Sequence, residues 1–127
     1  MVFPISNTML MMKRSIDFLW SKQGCIADNL ANVETPGYKT KYVTFEEALQ
    51  DALIAGAGDA HPVRKMRDAI TDTQILQHET QESTRMDENG VNVLEQSVEL
   101  ARNAYQLQYA MSAVSSDLTM LRAAITG

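Results

Sequence analysis

Among the residues able to do chemistry, Cys25, His61 and His78 come first, because a thiol beside an imidazole base makes a nucleophile. The chain holds one cysteine and two histidines. Both histidines fall in the polar middle, far in sequence from Cys25, and no flanking signature accompanies any of the three. Cys25 instead lies on the first helical stretch, one position before Ile26 of its apolar stripe, where a small packing or surface residue is expected. One cysteine and two histidines without ligand spacing do not make a zinc site. Asp87-Glu88-Asn89-Gly90 resembles the opening of a calcium loop. It lacks both the alternating oxygen ligands and the closing glutamate. No glycine-rich phosphate loop follows a strand. Asp and Glu total sixteen. They sit mostly on helical faces, as in Glu95, Glu99 and the Glu99–Arg102 pair. The expectation is a protein that is not an enzyme and uses no cofactor and no metal.

The charge balance narrows the partners. A net charge of −5 with only 11 basic residues argues against nucleic acid, whose phosphates demand clustered Lys and Arg. The densest basic cluster, Arg64-Lys65-Met66-Arg67, is expected in a solvated loop. A small-molecule substrate finds no site either. The start, Met1-Val2-Phe3-Pro4-Ile5, has no basic region, apolar run or cleavage site of a secretory signal. No stretch reaches the ~20 apolar residues of a spanning helix. Passage out of the cytoplasm would need a route without a cleaved signal peptide.

The strongest pattern is a pair of matched stripes. Steps alternating between three and four run through Val2, Ile5, Met9, Met12, Ile16, Leu19, Gln23, Ile26, Leu30 and Val33, apolar everywhere but Gln23. The same count from Val93 gives Ser97, Leu100, Ala104, Leu107, Met111, Val114, Leu118, Leu121 and Ile125, apolar everywhere but Ser97. This spacing is the a/d seam of a coiled coil. Ser6 or Asn7 can cap the first helix, and Asn92, after the Asn89-Gly90 turn, the second. A further stripe, Val91, Leu94, Val98, Ala101 and Tyr105, widens the apolar arc of the second helix. Either the middle of the chain or other subunits must cover it, and short residues in the arc favour other subunits. Met occurs eight times. Its adaptable side chain suits surfaces with more than one neighbour.

Between the helices, Thr35-Pro36-Gly37 is a hard stop. Proline steers Thr35 from helical geometry, and Pro36-Gly37 suit the central positions of a type II turn. Asn29 and Asn32 face one side of the last helical turns, able to bond the loop backbone or a neighbour. Tyr42-Val43-Thr44-Phe45 can extend briefly. Thr44 and Glu47 form a capping box for a short helix, Phe45 to Ile54. Residues 55–62 form a flexible breaker, and 63–88 read as loop or partly disordered, with Ile70, Ile75 and Leu76 as anchors and strand-like pieces near 73–77 and 80–84. The expected fold is mainly α: an elongated two-helix coiled-coil hairpin with a short helix and an irregular middle. It divides into 1–34, 35–54, 55–90 and 91–127, together one domain.

The stretch Asn29-Leu30-Ala31-Asn32-Val33-Glu34-Thr35-Pro36-Gly37-Tyr38-Lys39 resembles the signature N-[LI]-A-N-x-x-T-P-G-Y-[KR] of bacterial flagellar axial proteins, the rod, hook and hook-associated subunits. Asn29, Ala31, Asn32, Thr35, Pro36, Gly37 and Tyr38 carry the match. Hook and distal-rod members hold inserted domains for which 127 residues leave no room. The resemblance is therefore to the short proximal-rod members. It extends through Val43–Leu49, the polar middle, the Asp87–Val93 entry, and Ala101, Asn103, Ala104, Tyr109 and Leu121. It implies a structural subunit of the periplasmic rod of the basal body, exported by the flagellar type III apparatus. The implied neighbours are further copies in a helical assembly, FlgC-like and FlgF-like rod subunits, and a FliE-like adaptor at the membrane ring. Phe45 and Leu49 resemble an export-gate recognition element. Another rod or hook-type subunit, or a cytosolic coiled-coil adaptor or chaperone, stands as the alternative.

Overall fold

The structure, a computed structural model, describes residues 6–45, 49–51, 54, 58, 60–81 and 85–127. Helix α1 spans Asn7–Ala31. Ser6 caps it, its hydroxyl accepting from the Met9 amide at 3.1 Å. This satisfies a donor that the first turn leaves without a helical partner. At its far end the chain passes Asn32 and tightens into turns toward Thr35-Pro36. Strand β1 follows at Lys41–Thr44. Helix α2 is Pro62–Asp72, strand β2 is Leu76–Glu79, and helix α3 is Val93–Thr126. Asn92 caps α3 by accepting from the Glu95 amide at 3.2 Å.

The two long helices pack antiparallel: moving back along α1, Asn29, Lys22 and Leu19 meet Gln96, Glu99 and Asn103 in turn. At about 1.5 Å per residue, α1 is roughly 37 Å long and α3 roughly 51 Å. The hairpin is thus lopsided. Residues 118–126 of α3 are all exposed. Among the described residues, no helix is long and apolar enough to cross a membrane.

α1 is buried on two sides, which the sequence pattern did not anticipate. Its second face carries Leu10, Met11 and Phe18, packed against the cluster of Phe45, Leu49 and Ile70, which Ile75 also covers. Phe18 stacks on Phe45 with ring centroids 5.7 Å apart, and the Arg14 guanidinium lies 5.5 Å from the Phe45 centroid. Arg14 also donates to the Thr73 carbonyl. The middle of the chain therefore folds back, but onto α1. The extra arc of α3 at Leu94, Val98 and Tyr105 stays exposed.

The middle is also more regular than its composition suggests. The expected loop at 62–72, basic cluster included, is instead helix α2. Pro62 supplies its first turn, where a missing amide hydrogen costs nothing. The helix was hard to read because a single residue, Ile70, buries it. Its basic residues Arg64, Lys65 and Arg67 are exposed, as expected. β1 and β2 pair antiparallel with Lys41 opposite Glu79 and Thr44 opposite Leu76. β2 overlaps the first strand-like piece read from sequence, 73–77, at Leu76 and Gln77, and ends before the second, 80–84, of which 82–84 fall outside the described residues. The same holds for 46–48 and 52–53 of the expected short helix. Within it, 49–51 and 54 are helical, and the Leu49 amide donates to the Phe45 carbonyl at 3.0 Å.

Because Ile70 alone buries α2, Ile70→Ala should undock that helix at a cost of about 2–5 kcal/mol. Hydrogen exchange should then rise across 62–72 while amides of α1 and α3 near Leu19 and Leu107 stay protected.

Candidate functional site

Asn29, in the last turn of α1, is fully buried, and all of its polar capacity is used. Its Oδ1 accepts from the Lys41 amide at 2.8 Å and from the Tyr38 hydroxyl at 3.2 Å. Its Nδ2 donates to the Lys41 carbonyl at 2.8 Å and to Gln96 Oε1 at 2.9 Å. In the β1–β2 register, Thr40 accepts from the Thr80 amide at 2.9 Å, so the alternate residue Lys41 turns its peptide groups away from β2. The Asn29 carboxamide meets those groups as a neighbouring strand would. One side chain thereby joins α1, the turn, β1 and α3.

The turn is closed by the Tyr38 amide donating to the Thr35 carbonyl at 3.3 Å, with Gly37 at φ +73°. That is the positive φ a type II turn requires at its third residue. Asn32 braces it: its Nδ2 donates to the Asp28 carbonyl at 2.8 Å, and its Oδ1 accepts from the Thr35 hydroxyl at 3.1 Å. The segment entering α3 then lies along the turn. Gly37 donates to the Asp87 carbonyl at 2.8 Å and Gly90 to the Tyr38 carbonyl at 2.9 Å. Asn89, also fully buried, donates to the Asn32 and Thr35 carbonyls at 2.9 and 2.7 Å. Its Oδ1 accepts from the Val91 amide at 2.8 Å. Arg85 reaches the Val33 carbonyl and pairs with Asp87 at 3.1 Å. Glu88 holds a left-handed φ of 62°, a conformation that costs a residue with a Cβ. The joint keeps it there.

Further along the hairpin, fully buried Asn103 donates to the Leu19 carbonyl at 3.0 Å and to Gln23 Oε1 at 2.7 Å. A buried amide of this kind fixes the register of paired helices, at some cost in stability. Lys22 and Glu99 pair at 3.1 Å beside it.

These amides shift the seam. On α1, Leu19 and Ile26 are buried and Met9, Met12, Ile16 and Leu30 half-buried, along the expected stripe. On α3 the packed line is Gln96, Leu100, Asn103, Leu107, Ala110, Val114 and Asp117. It shares Leu100, Leu107 and Val114 with the expected stripe and departs elsewhere. Met111 (48%), Leu118 (50%), Leu121 (42%) and Ile125 (56%) remain exposed. The alternating count from Val93 places Ser97 and Ala104 in the seam. The structure instead buries polar Gln96 and Asn103, which find partners on α1. Gln96, Asn103 and Asn89 were missed as site residues, although a buried-type amide at seam spacing is a legible signal for the first two. Of the remaining motif residues, Ala31, Thr35, Pro36 and Gly37 are exposed and Tyr38 half-buried. Phe45 and Leu49 are buried together in the cluster with Ile70.

The chemistry here is cohesive. Cys25 is buried with its thiol 3.8 Å from Gln77 Oε1. Burial, with Asp28 adding to it and Lys41 opposing, pushes this thiol above its ordinary 9.0. Burial likewise raises Tyr38 above its ordinary 10.0, with Asp28, Cys25 and Glu79 adding to the shift. His78 contacts the Thr44 hydroxyl at 2.9 Å and stacks on Tyr42. Among the described residues, no group of His, Cys, Asp and Glu is placed to hold a metal ion.

Asn29→Asp removes both donors and buries a carboxylate, so it should cost about 3 kcal/mol or more, against about 1 kcal/mol for Asn32→Asp on the half-exposed side. Urea unfolding of both variants measures this. The pH dependence follows from Tyr38 and Cys25. Both bind their protons more tightly folded than unfolded, so their contribution is complete at neutral pH and is lost as pH rises. The unfolding midpoint should be flat near neutrality and fall from about pH 9 upward, with Cys25→Ser sparing the earlier part of the fall.

No protein-family model matches the chain. Curated relatives do. It is 28% identical over 109 residues to the flagellar basal body rod protein FlgB of Bacillus subtilis, covering 84% of this chain and 83% of that protein. The FlgB of Escherichia coli is 27% identical over 107 residues, covering 76% and 77%. A shorter stretch of 41 residues is 49% identical to the FlgB of Borrelia hermsii, covering 32% of this chain and 30% of that protein. The chain, which is mainly helical, is thus similar along most of its length to proteins named flagellar basal body rod protein FlgB.

Proposed function

We propose that the chain is a structural subunit of the proximal rod of the bacterial flagellar basal body, and that its long helices complete their packing only on assembly. The similarity to FlgB supports a basal body rod role. The observation that carries the assembly reading is the surface of α3. Leu94, Val98, Tyr105, Tyr109, Leu118, Leu121 and Ile125 are all exposed on a single helix, apolar surface of the kind that marks contact with other proteins. A 34-residue helix whose last turns, residues 118–126, are wholly exposed suits a rod built of packed helices.

In this mechanism the joint and the amide-pinned part of the hairpin order first. The distal part of α3 gains its packing from neighbouring subunits, because helix formation without tertiary support is marginal. Ordering each residue costs about 1–2 kcal/mol, which burial between subunits offsets. The neighbours are further copies, FlgC-like and FlgF-like rod subunits and a FliE-like adaptor, and the assembly serves motility. Export runs through the flagellar type III apparatus without a cleaved signal. Phe45 and Leu49, if they are read during export, are read on an unfolded chain, since folding hides both.

Two measurements test this. Hydrogen exchange on the dilute protein should find residues 96–107 protected and 118–126 unprotected, with helicity rising with concentration or with a rod partner. Leu118→Glu combined with Leu121→Glu should leave the dilute chain's circular dichroism and its secretion unchanged while abolishing motility. Leu107→Asp, at a buried position, should unfold the hairpin. Full motility in the double variant would sink the assembly reading.

A further inference from the structure

Asn89-Gly90 is a pair in which the asparagine side chain can be attacked by the next backbone nitrogen, because glycine carries no Cβ to obstruct the approach. The Gly90 nitrogen loses its proton and bonds to Asn89 Cγ. The Cγ–Nδ2 bond breaks, and ammonia leaves with the proton. The resulting five-membered succinimide is opened by water at either carbonyl, giving aspartate or isoaspartate. No other reactant is needed.

The folded joint opposes each part of this reaction. The Gly90 amide proton is held by the Tyr38 carbonyl at 2.9 Å. The leaving amide, Asn89 Nδ2, is held by the Asn32 and Thr35 carbonyls at 2.9 and 2.7 Å. Asn89 Oδ1 is fixed by the Val91 amide at 2.8 Å, so Cγ cannot turn toward Gly90. The side chain has no exposed surface, which leaves no room for attacking water. Opening the joint releases all of these restraints at once.

Conversion is also irreversible in its effect. Aspartate at 89 would replace a donor amide with a carboxylate facing two backbone carbonyls in a buried site. Isoaspartate would add a methylene to the main chain where Gly37 and Gly90 must meet Asp87 and Tyr38. We propose that Asn89-Gly90 is a modification site gated by conformation: inert in the folded joint, deamidating while the joint is open, and unable to re-form the joint once converted. The inference stands apart from the rod assignment. It makes the age of an unfolded chain chemically legible, because chains that stay open lose the capacity to close.

The test incubates the full chain at mildly alkaline pH with and without urea, then maps deamidation and isoaspartate by peptide mass spectrometry. Conversion at Asn89 should be at least about tenfold slower without urea, the protection being set by the fraction of molecules open at the joint. In urea, Gly90→Ala should slow it, and Asn29, Asn32, Asn92 and Asn103, which precede larger residues, should convert more slowly than Asn89. Partly converted protein is then refolded and digested briefly with protease. The protected fraction should be depleted of converted chains. Equal rates with and without urea, or equal conversion in the protected and digested fractions, would overturn the proposal.

Discussion

The fold depends on the pairing of one carboxamide with one peptide unit. Asn29 presents a donor and an acceptor to Lys41 in the geometry of a β-ladder, although it belongs to a helix. A helix normally cannot offer backbone groups sideways, since its own turns consume them. A side-chain amide at its last turn removes that limit and lets helix and strand share hydrogen bonds. Its remaining donor and lone pair reach Gln96 and Tyr38, so the position of α3 and the closure of the turn hang on the same group.

Substituting a residue of similar size cannot reproduce this. Aspartate has no donors and leucine no polar atoms, and in a site without solvent each unmet partner carries its full desolvation cost. Asn89 repeats the logic from the other side of the joint, where it gives a second donor to the carbonyls of Asn32 and Thr35, which already close the turns after α1. The turn at Thr35–Tyr38 is held in place because its own carbonyls are also bonded by a segment more than fifty residues away.

The elements that were legible in sequence are those governed by local chemistry. Ser6, Asn92, Pro36 and Gly37 act through their own backbone neighbours, and the ends of α1 and α3 fall where these residues put them. The features that were not legible depend on partners distant in sequence. Asn103 is polar at a position that apolar counting passes over, and only Leu19 and Gln23 across the hairpin make it a core residue. Ile70 anchors α2 because Phe45 and Leu49 happen to meet it, which no periodicity within 62–72 reveals. Asn29 and Asn32 are spaced alike and differ entirely in role: one is sealed in the joint, the other braces its rim.

The division between amides and apolar residues along the hairpin has a physical consequence for how such a chain can assemble. Directional bonds at Asn29, Asn89 and Asn103 are satisfied only by their particular partners, so exchanging those partners for another copy's leaves buried groups unmet until every one is replaced. Apolar contact is non-directional, and Met111, Leu118, Leu121 and Ile125 lose little by packing against one neighbour rather than another. The intramolecular register is therefore set by bonds that resist exchange, while the exposed surface of α3 is made of groups whose contacts tolerate variation. The motif residues Asn29 and Asn32 belong to the fixed part.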